Sequence, residues 1–210
     1  MSNFFIKNKI VGQTILVMLM FGLIFSAVLS IFYEKANPII LESEAAAKEK
    51  LLLQVITKGT YDNDLNKDFV EIPPNPLLMN KVVTKAYLAK KSNEVQAVVL
   101  ESRAPDGYSG DIYVLVGINR QGIITGTRVI KHQETPGLGD YIDISKNKWI
   151  EIFKDASLAT HVTKDWAVKK DQGKFDYIAG ATITPRAVIK AIYNALLYFE
   201  TNKQELGIHV

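Results

Sequence analysis

Residues 96–130 read QAVVLESRAPDGYSGDIYVLVGINRQGIITGTRVI. They contain three short runs rich in β-branched and apolar residues, separated by turn sequences with glycine, as at Asp106-Gly107 and Arg120-Gln121-Gly122. The runs cover residues 96–102, 111–118 and 122–130. Short runs of this kind between turn sequences are typical of consecutive antiparallel strands. We therefore predict a meandering antiparallel sheet from about Val95.

A long helix is predicted to close the chain. Residues 185–204 read PRAVIKAIYNALLYFETNKQ. Their apolar positions recur at helical spacing: Val188, Ile189, Ile192, Ala195, Leu196 and Phe199. Before this helix, residues 166–168 read WAV and are predicted to be strand-like. Strands and helix together predict an α+β fold in which helices pack on an antiparallel sheet.

The composition excludes several kinds of chemistry. The chain has 210 residues, 48% of them hydrophobic, with three histidines and no cysteine. It can therefore form no disulfide, no Cys-ligated zinc or iron–sulfur site and no thiol nucleophile. The three histidines, His132, His161 and His209, lie far apart in the sequence, so we predict no metal site.

Of the net charge of +3, two charges arise at the N-terminus. Lys7 and Lys9 precede residue 34 without any acidic residue, so the rest of the chain has a single excess base. A nearly neutral body lacks the clustered basic face that phosphate-backbone binding requires, and nucleic acid is not an expected partner.

Residues 10–33 read IVGQTILVMLMFGLIFSAVLSIFY, 24 residues without a charge. As a helix at about 1.5 Å per residue, this run exceeds the ~30 Å hydrocarbon core of a bilayer. A cleaved signal peptide has a shorter apolar region, so we predict a retained membrane anchor. The basic flank precedes the run, whereas Glu34 and Lys35 cancel after it. The positive-inside rule then predicts a cytoplasmic N-terminus and a periplasmic main domain.

The chain divides into five predicted segments. These are a cytoplasmic tail (1–9), the transmembrane anchor (10–33), a helical stalk with a Pro-rich connection (34–94), the main domain (95–202) and a C-terminal tail (203–210). The stalk helix is expected to start at Asn37-Pro38, and the connection includes residues 72–76, IPPNP, which break regular structure.

Residues 176–186, DYIAGATITPR, could carry chemistry. The plainest interpretation is a helix start, with Thr184 as N-cap and Pro185 in the first turn. The small residues before Thr182 would also leave its hydroxyl accessible beside the positive helix end. Arg186 is unfavourable at that end unless an anion lies nearby, and a phosphate on Thr182 would supply one.

A second segment, residues 132–140, reads HQETPGLGD. Pro136-Gly137 fits the centre of a type II turn, in which the third position needs the positive φ of glycine. Gly139 would let the backbone approach a neighbouring group closely. His132 is predicted to be a hydrogen-bonding group rather than a ligand, and Trp149 and Trp166 to be core residues.

Both segments resemble motifs of one family of FMN-binding domains. Residues 176–182 are similar to the flavinylation motif Asp-x-x-Ser/Thr-Gly-Ala-Thr, and residues 132–139 to a His-x-Glu-Thr-Pro-Gly-Leu-Gly signature. The family includes the G subunit of the Rnf (Rsx) electron transport complex and the C subunit of the sodium-translocating NADH:quinone reductase. The chain departs from the motif at Ala179, where Ser or Thr is usual, and this affects recognition by a flavin transferase rather than the attachment residue.

The resemblance implies the roles of individual residues. Thr182 would hold FMN through a phosphoester, Asp176 would belong to the recognition motif, and Thr184 is the competing hydroxyl. The implied cofactor contacts are Thr135, Gly137, Leu138, Gly139, Gly180 and Ala181. Residues 95–202 would then be the covalent FMN-binding domain, with no catalytic acid or base of its own.

The resemblance also implies a function. The chain would be a non-autonomous electron-carrier subunit of an inner-membrane Rnf complex that couples electron transfer between ferredoxin and NAD to ion translocation. Its partners would be the membrane and iron–sulfur subunits, and a flavin transferase would install FMN. Two alternatives remain open, namely the C subunit of the NADH:quinone reductase and an anchored extracytoplasmic binding or sensory module without a redox role.

Overall fold

The computed structural model describes residues 2–208, in which the chain forms two α-helices and five β-strands. The helices are α1 (Ser2–Val55) and α2 (Ile183–Thr201). The strands are β1 (Phe69–Ile72), β2 (Thr84–Lys91), β3 (Glu94–Ala104), β4 (Ile112–Asn119) and β5 (Ile124–Lys131). Short 3-10 helices between β5 and α2 cover Asp140–Ile142, Lys148–Phe153, Thr163–Asp165 and Lys169–Asp171. The predicted α+β class is confirmed.

The chain splits into two compact units, Met1–Ala47 and Lys48–Val210. In the described part of the chain, α1 is the one helix that is long and apolar enough to cross a membrane, and the candidate span begins at Val11. The predicted anchor, residues 10–33, lies within α1. The predicted separate helix start at Asn37-Pro38 is wrong, since α1 continues through Pro38. Strong helix formers follow the proline, and a single missing N–H does not end the helix there.

The folded body begins earlier in the sequence than predicted. Strands β1 and β2 lie in the segment 34–94 that we assigned to a stalk and connection, and the second unit starts at Lys48. Strand β2 is hard to recognise in the sequence. Lysines flank its short buried centre, and because this centre is covered on both faces it shows no alternation of polar and apolar residues. The Pro-rich residues 73–76 do break the chain, directly after β1.

The end of the chain also differs from its prediction as a tail. Leu206 and Ile208 are buried in the main core, so the described part of 203–210 belongs to the domain. Met1 of the predicted cytoplasmic tail and residues 209–210 of the C-terminal tail lie outside the described residues.

The sheet is an antiparallel meander in the order β1-β2-β3-β4-β5. Since successive strand residues point to opposite faces, the sheet builds two cores. Val98, Leu100 and Val116 pack in the larger core with α2, and Val99 and Leu115 pack in the smaller one with the end of α1. The six apolar positions predicted for the closing helix are all buried.

Two facing glycines let the end of α1 lie directly on the sheet. Gly117 of β4 is paired with Gly126 of β5. A Cβ on Gly117 would lie 2.3 Å from the Val55 carbonyl oxygen, and one on Gly126 would lie 2.9 Å from the Val55 Cα. The Thr125 hydroxyl donates a hydrogen bond to the same carbonyl, one of the acceptors that a helix end leaves without a helical partner.

Gly117→Ala is therefore expected to lower the free energy of unfolding of the domain by about 1–3 kcal/mol, because the added methyl overpacks a backbone contact. Denaturant unfolding of the full chain in detergent measures this. Gly12→Ala is the matched control, since no atom lies within 4 Å of the added methyl and Gly12 belongs to the other unit. Equal stability of Gly117→Ala and wild type would contradict the close approach.

Candidate functional site

Two turns of the same form bring the predicted motifs together. In residues 135–138 the Leu138 N–H donates to the Thr135 carbonyl oxygen at 3.1 Å, and Gly137 has φ +78°. In residues 178–181 the last N–H donates to the first carbonyl oxygen at 3.2 Å, and Gly180 has φ +92°. Both glycines occupy the third turn position, where a type II turn needs a positive φ. The turn predicted at Pro136-Gly137 is confirmed.

A cavity of about 340 Å³ lies between the two turns and the start of α2. Its size is within the range of small-molecule sites. The lining residues are Tyr108, Glu134, Thr135, Leu138, Gly139, Gly180, Ala181, Thr182, Ile183 and Thr184. The fold thus brings together six of the predicted site residues, while Gly137 and Asp176 do not line the cavity.

Thr182 combines a cavity position with a free hydroxyl. It is the N-cap residue of α2, but its side chain makes no capping hydrogen bond. Within residues 2–208 its hydroxyl has no hydrogen-bond partner, and the side chain is half-buried. The unpaired N–H groups and positive dipole end of α2 lie beside it, an arrangement that favours an anionic group.

Thr184 has a different environment from Thr182. Its side chain is 1% exposed, and its hydroxyl donates a hydrogen bond to the Glu134 carboxylate. The predicted capping role of Thr184 is therefore wrong, because Thr182 holds the N-cap position and Glu134 engages the Thr184 hydroxyl. This burial also removes Thr184 from reach of an external enzyme.

Glu134 is the central polar residue of the site, and the sequence interpretation missed it. It is 4% exposed, and its second carboxylate oxygen accepts a hydrogen bond from the Ser109 N–H at 3.0 Å. A Cβ on Gly139 would lie 2.8 Å from one Glu134 oxygen, and a Cβ on Gly107 would lie 2.9 Å from the other. The close approach predicted for Gly139 is thus made to Glu134. The available signal was an acidic residue directly before the turn 135–138.

Arg186 does not point to a phosphate, contrary to the prediction. Its guanidinium makes two hydrogen bonds to the carboxylate of Asp171, at 2.5 and 2.7 Å. These bonds lower the pKa of Asp171. The anion that offsets an arginine near the start of α2 is therefore an aspartate of the preceding loop.

Asp176 and two aromatic residues, Trp149 and Tyr141, support the turn 178–181 from outside the cavity. The exposed Asp176 forms an ion pair with Lys169 at 2.6 Å, and its backbone carbonyl accepts a hydrogen bond from the Trp149 indole N–H. Trp149 packs edge-on against Tyr141, whose hydroxyl donates to the Ala181 carbonyl oxygen at 3.3 Å. Burial raises the pKa of Tyr141 to about 12, so the phenol stays protonated as a donor at neutral pH.

His132, Trp149 and Trp166 behave as predicted. The Nδ1 atom of His132 accepts a hydrogen bond from the Glu134 N–H at 3.1 Å. Both tryptophans are buried in the main core. The strand-like prediction for residues 166–168 is wrong, because this segment forms only a single bridge, between Val168 and Phe175.

Comparison with known proteins gives related matches over most of the chain. The family described as FMN-binding domain matches residues 107–197. The G subunit of the ion-translocating oxidoreductase complex of Aliivibrio fischeri strain MJ11 is 39% identical over 191 residues, 91% of each chain. The protein of the same name from Yersinia pestis is 46% identical over 165 residues, 78% of each chain. The crystal structure of Shewanella oneidensis NqrC matches with a TM-score of 0.46 and 22% identity, over 69% of this chain and 74% of that one.

Thr184→Val should lower the free energy of unfolding by about 1–3 kcal/mol, because it leaves a buried Glu134 oxygen without its donor. Thr182→Val makes the same hydroxyl-to-methyl change where no hydrogen bond exists, and should stay within about 0.5 kcal/mol of wild type. Denaturant unfolding of all three proteins, prepared without bound flavin, measures the difference. Equal losses in the two variants would contradict the assigned environments.

Proposed function

Because the chain belongs to the family of ion-translocating oxidoreductase complex G subunits, we propose that it is a membrane-anchored electron-carrier subunit of such a complex, with FMN bound covalently to Thr182. The observation that carries the proposal is the free, half-buried Thr182 hydroxyl in the cavity at the start of α2. As a redox subunit it needs partner subunits for turnover.

The residues of the cavity fit the two ends of FMN. The N–H groups at the start of α2, next to Thr182, suit the phosphate. Leu138 and Tyr108 present exposed apolar surface at the cavity and suit an aromatic ring system. Gly139 and Gly180 keep the backbone free of side chains there. Bound FMN supplies the electron-transfer chemistry, and the chain supplies position and electrostatics.

Attachment uses the Thr182 hydroxyl as the nucleophile. Its oxygen attacks the FMN phosphorus of FAD, a P–O bond to Thr182 forms, the pyrophosphate bond breaks and AMP leaves. The hydroxyl proton passes to a base of the flavin transferase. No oxidant or reductant is needed. Asp176 is exposed, so it is available for recognition by that enzyme, whereas Ala179 offers no hydroxyl where the family motif has one.

A covalent bond suits a domain outside the cytoplasm, where a released flavin would be lost. We propose that α1 anchors the chain in the inner membrane with its N-terminus in the cytoplasm, since Lys7 and Lys9 precede the apolar run. The main domain is then periplasmic, and the partners are the other membrane and iron–sulfur subunits. The relatives, which are named as G subunits, favour a complex linking ferredoxin and NAD over the NADH:quinone reductase.

Replacing the hydroxyl of either threonine separates the two possible attachment residues. In cells that contain the transferase, we expect a fluorescent band on a denaturing gel for wild type and for Thr184→Val, and none for Thr182→Val. Thr182→Ser restores a hydroxyl and should recover fluorescence at least in part. A dark wild-type band, or fluorescence that persists in Thr182→Val, would refute attachment at Thr182.

The proposed orientation can be tested with single cysteines, because the natural chain has none. Ser145 is exposed on the domain. A membrane-impermeant maleimide should label Ser145→Cys in intact cells and Ser2→Cys only after lysis. The opposite pattern would mean that the domain lies in the cytoplasm.

A further inference from the structure

The two carboxylate oxygens of Glu134 each take part in one hydrogen bond. One oxygen accepts from the Ser109 N–H and the other from the Thr184 hydroxyl. The Ser109 N–H can only donate, and the Thr184 hydroxyl donates to the carboxylate. Glu134 also bonds to the second residue of α2, at the positive end of that helix. The Glu134 carboxylate thus places its charge in a buried site.

That charge is not neutralised by a cationic side chain. In the described part of the chain, the partners of the Glu134 carboxylate are the neutral Ser109 N–H and the neutral Thr184 hydroxyl. Other acidic residues of the domain do form ion pairs, as Asp171 does with Arg186 and Asp176 with Lys169. Glu134 differs from these residues in being both buried and free of a cation.

Glu134 also lines the cavity that contains Thr182 and Leu138. A buried charge acts on its neighbours more strongly than an exposed one, because little water lies between them to screen it. Any group in the cavity that gains an electron will be affected by this carboxylate.

We propose that Glu134 lowers the reduction potential of the flavin in this cavity, an inference that rests on the proposed function. Reduction by two electrons with uptake of one proton, FMN + 2 e⁻ + H⁺ → FMNH⁻, adds one negative charge to the ring system. The electrons come from a partner redox subunit in the complex. The Glu134 carboxylate disfavours that added charge, so the flavin is a stronger reductant than it would be beside a neutral side chain. Glu134 thus lowers the reduction potential of the cofactor and also holds together the segments around the cavity.

Glu134→Gln tests the charge with little change of shape. The Gln oxygen can still accept from the Ser109 N–H, and its amide can donate to the Thr184 hydroxyl, which can turn to accept. Thr184→Val has the opposite purpose. It keeps the Glu134 carboxylate and removes a hydrogen-bond donor that partly offsets the negative charge of that carboxylate. Glu71→Gln is the matched control, with the same substitution on the exposed side of β1.

The experiment is a reductive titration of the full chain with dithionite and a reference dye at neutral pH. Each protein is made with the transferase, and its intact mass must first show one FMN. We expect a more positive midpoint potential for Glu134→Gln, a more negative one for Thr184→Val and an unchanged one for Glu71→Gln.

Several results would overturn the proposal. An unchanged or more negative potential in Glu134→Gln would mean that the residue only supports the loops. A shift of Glu134→Gln and Thr184→Val in the same direction would point to loosened packing. If Glu134→Gln does not retain flavin, the potential of Thr184→Val becomes the test. An unchanged or more positive potential in Thr184→Val would then reject the proposed effect of Glu134. Wild type without FMN would instead contradict the proposed function, before any potential is measured.

Discussion

The carboxylate of Glu134 accepts hydrogen bonds from the Ser109 N–H and the Thr184 hydroxyl, and so joins three segments that are distant in sequence. A buried carboxylate is costly unless its oxygens are hydrogen-bonded, so the loop before β4, the loop after β5 and the first turn of α2 must meet in one arrangement. Gly139 follows from the same constraint, because a side chain there would clash with Glu134, whereas a side chain at Gly107 would clash first with the Gly110 carbonyl oxygen. The cavity exists because this junction closes one of its sides.

The start of α2 gives two nearby threonines opposite roles. Thr184 points into the protein and its hydroxyl donates a hydrogen bond to Glu134, whereas Thr182 occupies the cap position and keeps its hydroxyl free. Pro185 follows in the first turn, where the absence of its N–H leaves no unsatisfied donor. The helix end thus combines a buried, hydrogen-bonded hydroxyl with a free hydroxyl beside unpaired N–H groups.

Local patterns predicted much of this domain. Strands β3 to β5, the buried face of α2 and the glycine of the turn 135–138 all followed from alternation, helical spacing and turn chemistry. What failed depends on contacts between distant segments. The buried residues of β2 lie in two cores that distant segments complete, and the partner of Arg186 is Asp171 in a separate loop. For Glu134 the sequence offers only its position directly before the turn 135–138, since only the folded chain brings Ser109 and Thr184 to it.

Tandem mass spectrometry of one tryptic peptide identifies the residue that carries the flavin. Cleavage after Lys174 and Arg186 releases residues 175–186, FDYIAGATITPR, which contain both candidate threonines. For protein from cells with the flavin transferase, we predict one FMN phosphoester, with fragment masses that assign it to Thr182. An unmodified peptide, or fragments that assign the flavin to Thr184, would contradict it.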